Sequence, residues 1–394
     1  MTRQTVLAVH SGADLFGSDR MFLESVIGLC DAGHDVVVAL PHTGPLVPEL
    51  QAAGARVVVL PMLVLRRALL RPTGWLSLAR DGVQGFVAAR RLLSRVRPTA
   101  VYVSTITLPH WPVTARMFRA RVSAHVHEAE GHVNRLINAA TYASLAAAHT
   151  VIVNSDYARQ VLGASLPGVL PRSEVIYNGV SSPADPAPPR ATMSGPLRLC
   201  YVGRLSPRKG PDLVIEAARL LAQEGCEVTV SLVGSVYPGT EWFERELRAQ
   251  AASLPDGAEV VFEGFSSNVW PHVADADIAV VPSRLNESFG NTAVEGVLAL
   301  RPVVASDNSG LREAVGQYAT ARLVTPDSAR ELADACKEVR ADWETVCAQV
   351  TTSRTRALAR HAPERYRAAV SHAVTGVDTS GATGIDTDQN ESLR

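Results

Sequence analysis

Lysine is nearly missing from this chain: only Lys209 and Lys337 occur in 394 residues. Positive charge is carried by arginine, so a lysine placed in a glycine-flanked loop is informative. Cysteine is also scarce. Cys30, Cys200, Cys226, Cys336 and Cys347 are scattered, odd in number and form no C-x-x-C. That excludes a disulfide framework and a zinc ribbon, and reads as free thiols in a reducing cytosol. No apolar run approaches the ~20 residues a spanning helix requires; the longest lies near Val57 to Leu65. No charged, then apolar, then small-residue leader opens the chain, so a cytoplasmic protein is expected. RNA-binding signatures, zinc-finger spacings and basic helices are absent too, and nucleic acid is not an expected partner.

What is present points to an α/β protein. A chain of 394 residues exceeds one ordinary core, so two domains are expected. With 46% apolar and 20% charged residues, the balance is that of a globular protein. The net charge of −1 hides an asymmetry, because residues 1–183 hold 17 Arg, no Lys and 11 acids, about +6, and the rest is about −7. An anionic membrane surface or a phosphorylated acceptor would suit the basic half. The arginine-rich, lysine-poor usage also reads as a high-GC bacterial gene.

Short β-branched runs alternate with helical patterns twice over. Thr5–Val9, "HDVVVALP" (34–41), "ARVVVLP" (55–61), "TAVYV" (99–103), "RVSAHVH" (121–127) and "TVIVNS" (150–155) read as strands of a first domain, residues 1–180. "SSPADPAPPRATMSGP" (181–196) carries five prolines and no apolar period, and reads as a linker. The alternation restarts at "LRLCYVG" (197–203) and continues through "EVTVSLVG", "EVVFEG", "DIAVVPS" and "RPVVAS". This second domain spans 197–373, its last helix able to pack back on the first, and a polar tail from 374 to 394 is expected to be disordered. Such strands argue for parallel sheets covered on both faces. The expected architecture is two doubly wound, Rossmann-like domains facing a cleft, with ligands at the carboxyl ends of strands.

Two loops carry the chemistry. "SRLNESFGNTAVEG" (283–296) follows an apolar strand and precedes a helix. Free N–H groups and the helix dipole there attract an anion, and Gly290 lets a ligand approach the backbone. Glu287 and Glu295 would repel that anion unless they accept hydrogen bonds from hydroxyls flanking a phosphate, which is the layout of a sugar nucleotide. Thr292 and Glu295 also fit the T-x-x-E capping box, so Glu295 has a purely structural alternative. "YVGRLSPRKG" (201–210) places Arg204 and Lys209 in a second strand-to-helix loop, suited to a diphosphate. "DAD" (275–277) lies before a strand rather than after one, so no metal site is assigned. "HSGADLFG" has the wrong spacing for G-x-G-x-x-G, which argues against a dinucleotide dehydrogenase.

"GRLSPRKG" followed by "ESFGNTAVE" resembles the retaining glycosyltransferases of family 4, which have the GT-B fold. "VIYNGV" (175–180) and "SGADLFGSDRMFLESVIGLCDAGHDVVVALP" (11–41) extend the resemblance over roughly residues 5–370. It implies that Arg204 and Lys209 hold the donor diphosphate and that Glu287 contacts the donor sugar. Ser288 and the Phe289-Gly290-Asn291-Thr292 backbone would meet phosphate and sugar, and Glu295 the ribose hydroxyls. Gly264 and Phe265 would flank the base. His127 matches a first-domain histidine near the sugar, with a partly buried structural histidine as the alternative, and His125 is read as facing away from it. Gly17 would approach the diphosphate, although Phe16 stands where the family often has a second glycine.

The implied reaction is transfer of a sugar, with retention, from a nucleoside diphosphate sugar to a hydroxyl of a polysaccharide, glycolipid or small metabolite. It would use neither metal nor cofactor. A non-hydrolysing sugar-nucleotide 2-epimerase and a catalytically silent binding protein are the alternatives; a pyridoxal-phosphate phosphorylase is disfavoured by chain length. Leu63, Leu69, Leu70 and Trp75 interleaved with Arg66, Arg67 and Arg71 are expected to suit a membrane interface, against simple packing of those leucines on the first domain.

Overall fold

The fold is described from a computed structural model that covers residues 3–65, 75–129 and 135–377. The chain divides into two compact units, Met1–Gly179 with Pro363–Arg394, and Val180–Ala362.

The first unit begins β1 (Thr5–Val9), α1 (Gly17–Asp31), β2 (Asp35–Leu40), α2 (Leu46–Ala52) and β3 (Arg56–Val59). It continues α3 (Trp75–Val96), β4 (Ala100–Val103), α4 (His110–Met117), β5 (Arg121–Val126), α5 (Arg135–Tyr142), β6 (Thr150–Val153), α6 (Asp156–Ser165) and β7 (Ser173–Val175). The seven strands form one parallel sheet in the order β3-β2-β1-β4-β5-β6-β7. Valine-rich strands such as "VLAV" and "VVVAL" are buried on both faces, which is why they read as continuous apolar runs rather than alternating ones. Leu7, Val9, Val37, Val101 and Val103 pack under α3, α4 and α6, whereas Val6, Ala8, Val36 and Val38 pack under α1 and α2.

The second unit contains β8 (Leu197–Val202), α7 (Pro211–Gln223), β9 (Val228–Val233), α8 (Glu241–Ala252), β10 (Ala258–Gly264), α9 (Trp270–Asp275) and β11 (Ile278–Val281). Then come α10 (Asn291–Leu298), β12 (Val303–Ser306), α11 (Ser309–Val315), β13 (Ala321–Val324), α12 (Ala329–Ala341) and α13 (Trp343–His361). Its six strands are parallel in the order β10-β9-β8-β11-β12-β13. The order reverses between β8 and β11, the switch point at which such sheets place ligands. Strands β7 and β13 escape the sequence reading because they are short sheet edges of mixed polarity.

Two boundaries differ from expectation. The proline-rich stretch 181–196 is no free spacer. Its backbone carbonyls, in a stretch with few N–H groups of its own, are taken by donors of the second unit. Arg301 reaches Ala187 O at 2.9 Å, Arg354 reaches Pro183 O at 3.2 Å and Trp343 reaches Arg190 O at 2.9 Å. Residues 363–373 belong to the first unit, because α14 (Pro363–Thr375) packs on α1. There Tyr366 OH meets Ser25 Oγ at 2.8 Å and Arg367 pairs with Glu24 at 2.7 Å. Helix α14 also runs to Thr375, past the start of the expected tail; residues 378–394 lie outside the described residues.

Of the residues read as a membrane interface, Arg66, Arg67, Leu69, Leu70 and Arg71 lie outside the described residues, as does the side chain of Trp75. Leu63 is half-buried, and its backbone lies against Gly85 of α3, so it packs on the domain. No helix among the described residues is long and apolar enough to cross a membrane.

The α1–α14 contact depends on Gly28. A Cβ there would fall 2.7 Å from both Cβ and O of Arg367. Gly28→Val is expected to cost ~1–3 kcal/mol through overpacking, read as a lowered urea midpoint; an unchanged midpoint would show that α14 is not docked as described.

Candidate active site

In the second unit three strand ends are laced together. Gly203 N–H donates to Val233 O at 2.9 Å, and Gly234 N–H donates to Gly264 O at 2.7 Å. A Cβ on Gly234 would sit 1.8 Å from Gly203 O, so only glycine permits this approach. Arg204 leaves this rim with its guanidinium carbon 3.4 Å from the centre of the Tyr237 ring, a cation–π stack. Phe265 follows Gly264 at the end of β10 and is 55% exposed.

Lys209 closes a short 3-10 turn, Pro207–Lys209, just before α7. The next residue, Gly210, has φ +69°, and a Cβ there would lie 2.3 Å from Pro282 O. This closeness presses the loop after β8 against the loop after β11. Arg284 N–H donates to Arg208 O at 2.9 Å, Arg284 Nη1 to Pro207 O at 2.9 Å, and Arg208 Nη2 to Asn286 O at 3.0 Å. Arg284 also grips Asp212 with both terminal nitrogens, at 2.7 and 2.5 Å, and Asp327 through Nε at 2.5 Å. Across this seam Lys209 Nζ meets Glu287 Oε1 at 3.0 Å.

Glu287 is held from behind. Its N–H donates to Asn308 Oδ1 at 3.4 Å, while Asn308 Nδ2 donates to Ser283 O and Leu285 O, both at 3.2 Å. Gly310 lies so near that a Cβ would fall 2.1 Å from Glu287 O. Burial works to raise the Glu287 carboxyl. The charges of Lys209 and Arg208 and the bond from Lys209 outweigh it, so the value lies below the ordinary 4.5.

Helix α10 begins at Asn291 with Gly290 as its cap residue and no side-chain cap. The capping-box alternative for Glu295 therefore fails: Thr292 is the second helical residue, not the cap. Phe289 is buried, edge-on to His361 at 5.5 Å between ring centres. Ser288, Asn291, Thr292 and Glu295 are half-buried around the same turn. Asp277 of "DAD" is committed to Arg198, whose backbone N–H donates to it at 2.8 Å, and to Arg190.

The first unit gathers polar groups at the carboxyl ends of β1, β4 and β5. His10 Nε2 meets Asp19 Oδ1 at 2.8 Å and His10 Nδ1 meets Ser104 O at 3.1 Å. Ser104 Oγ meets His127 Nε2 at 2.9 Å. Burial, then the charge of His10, pushes His127 down to about 3, so its imidazole is neutral at physiological pH. His125 does not face away: residues two apart on a strand share a face, and the two rings are 4.0 Å apart. Gly17 is exposed at the start of α1, and a Cβ added there would meet no atom within 4 Å. The N–H of Phe16 beside it is taken by Asp19 Oδ2 at 3.0 Å, which is the N-terminal cap this loop uses instead of a glycine pair.

Sequence reasoning missed Asn308, Arg284 and Tyr237. Asn308 carries no motif of its own; its only signal is a polar residue just beyond the apolar run "VVAS". Two parallel Rossmann-like sheets, with cations and a carboxylate at the switch point of the second, define a GT-B fold. A Glycosyltransferase Family 4 profile matches residues 17–182 and a Glycosyl transferases group 1 profile matches residues 189–355. The chain belongs to this family of glycosyltransferases. It is 34% identical over 156 residues to the 2-deoxystreptamine glucosyltransferase of Streptomyces kanamyceticus, covering 39% of each chain. It is 31% identical over 210 residues to the D-inositol 3-phosphate glycosyltransferase of Kribbella flavida, covering 50% of this chain and 49% of that one. These matches span less than half of each curated relative. Among solved structures, Anabaena Alr3699/HepE in complex with UDP-glucose superposes with a TM-score of 0.76 at 20% identity, over 95% of this chain and all of that one, a likeness of fold.

The Lys209–Glu287 contact predicts a pH signature. Because the folded Glu287 value is depressed, its ionisation contributes stability above about pH 4.5, lost as pH falls through the depressed value. Lys209→Met leaves burial to dominate and reverses the sign. The variant should fall behind the native protein as pH rises from 5 to 8, by roughly 1–3 kcal/mol at pH 7, less than for a fully buried pair. Urea midpoints across that range measure it; a gap constant with pH would contradict the assignment.

Proposed function

We propose that this protein is a retaining glycosyltransferase that moves a sugar from a nucleoside diphosphate sugar to a hydroxyl acceptor. The observation that carries the reading is the Lys209–Glu287 pair at the ends of β8 and β11, with Arg204 in the same loop as Lys209. A diphosphate at that junction would draw Lys209 away from Glu287 and free the carboxylate to accept from sugar hydroxyls. Arg204 and Lys209 then stabilise the charge that gathers on the leaving oxygen. Ser288 and the Phe289–Thr292 backbone would line the phosphate and sugar, Glu295 would accept from the ribose, and Gly264 with Phe265 would flank the base. In the first unit Gly17 and neutral His127 would serve the donor sugar side.

In this scheme the bond from the anomeric carbon to the diphosphate breaks and its electron pair leaves with the phosphate oxygen. The acceptor oxygen bonds to the same face of the sugar, and its proton passes to the departing phosphate. The two cations meet the charge that a metal ion meets in other transferases, so the scheme is metal-independent. A UDP-sugar is the first donor to try, since the HepE structure holds UDP-glucose. All five cysteines are free thiols, in keeping with a cytoplasmic enzyme.

The test is product formation from a panel of UDP-, GDP- and ADP-sugars with hydroxyl acceptors. Isomerised donor without acceptor would indicate an epimerase instead, and no turnover a binding protein. Lys209→Ala and Arg204→Ala, with folding verified by circular dichroism, should each lower kcat/KM by ~10²-fold or more. Near-native turnover in both would refute the diphosphate assignment. Glu295→Gln should keep the native melting temperature and weaken nucleotide binding by about tenfold, measured calorimetrically; unchanged affinity would remove Glu295 from the ribose.

A further inference from the structure

The first unit presents one face whose chemistry the glycosyl-transfer reading leaves unused. Helices α3 and α4 both cover the same side of the sheet, with Ala89 and Leu93 of α3 and Trp111 and Ala115 of α4 in one core cluster. Their outward faces therefore point the same way. On α3 the exposed positions Arg80, Val83, Val87, Arg90, Arg91 and Arg95 recur at helical spacing, opposite buried Gly85, Ala89 and Leu93. On α4 the exposed positions are Val113, Arg116 and Met117, and Arg119 follows on the turn that ends the helix. Val83 is 66% exposed and Met117 60%.

The charge on this face is predominantly positive. Six exposed arginines stand against a single acid, Asp81. Among the described residues no carboxylate comes within 4.0 Å of any of the six. Some surface arginines elsewhere are paired, as Arg248 is with Glu244 and Arg330 with Glu224. The face therefore combines arginines that lack a carboxylate partner among the described residues with exposed aliphatic side chains between them. It is matched by a surface that supplies anions at its boundary and hydrocarbon just beneath.

We propose that the α3–α4 face docks the protein peripherally on an anionic lipid bilayer. Arg80, Arg90, Arg91, Arg95, Arg116 and Arg119 meet the headgroups while Val83, Val87, Val113 and Met117 enter the interfacial layer. The four aliphatic side chains decide between a bilayer and a nucleic acid, since a phosphate backbone has no apolar layer to receive them. The proposal does not depend on the glycosyl-transfer reading and is tested without turnover.

Flotation of the full chain with phosphatidylcholine vesicles, with and without phosphatidylglycerol, measures the partition. Binding is expected only to the anionic vesicles and should weaken from 50 to 500 mM salt. Arg91→Gln, Arg95→Gln, Arg116→Gln and Arg119→Gln combined should reduce the partition coefficient about a hundredfold or more, at roughly fivefold per arginine. Val83→Ser, Val113→Ser and Met117→Ser combined should reduce it about tenfold with the charge intact. Arg245→Gln with Arg248→Gln, on the second unit, should leave it unchanged; melting temperatures verify that each variant is folded. Absence of flotation at low salt overturns the proposal, as does equal loss in the second-unit variant. Loss on arginine removal with no effect of the serine substitutions, together with competition by duplex DNA, identifies a polyanion surface and likewise overturns it.

Discussion

The adjacency of β8 and β11 is the constraint on which the rest of the second unit depends. Leu199 pairs with Ile278 and Tyr201 with Val280, although about 80 residues of chain separate the strands. Because the sheet order reverses there, the two following loops leave side by side at the carboxyl end. Lys209 and Glu287 can then meet at 3.0 Å. A half-buried ion pair of this kind is weak evidence for stability, since desolvation offsets most of the attraction. In the proposed function its importance is that the two partners can separate, each exchanging the other for part of the donor.

The supports around that pair are backbone contacts more than side-chain contacts. Gly210 and Gly310 are places where another residue's carbonyl occupies the space of a Cβ. Asn308 then fills the remaining role with its amide, accepting from Glu287 N–H and donating to two carbonyls of the same loop. Arg284 does the equivalent for the Lys209 loop. The backbone approaches at Gly210 and Gly310 fix the loops directly, and the Asn308 and Arg284 side chains are each held by several hydrogen bonds at once.

Arginine does structural work throughout the chain. Arg301 is almost wholly buried and donates to the carbonyls of Val273, Ala274, Ala187, Ala299 and Leu300. It thereby ties two helix ends and the proline-rich stretch to one guanidinium. Lysine, with one compact ammonium, has too few donors for five carbonyls. The arginine-rich composition and the docking of 181–196 are two views of the same chemistry. In the first unit, the exposed arginines of α3 and α4 bind no such cluster of carbonyls among the described residues.

Much of the fold was legible in the sequence because it rests on local properties. Continuous valine-rich runs located most strands to within a residue or two, and the spacing of glycines and charges in "GRLSPRKG" and "ESFGNTAVE" located the two loops. The start of α10 at Asn291 was readable; the irrelevance of the T-x-x-E pattern was not, since the cap is set by where the backbone turns at Gly290. His125 was misplaced by neglect of a local rule, the two-residue period of a strand. The rest is tertiary. That Lys209 touches Glu287, that Asn308 stands behind it, that α14 returns to α1 and that the proline-rich stretch is held by Arg301 and Arg354 all depend on contacts between residues far apart in the chain. Periodicity and spacing specify which way a side chain points from its own element; only the packing of the sheets and helices determines what it meets.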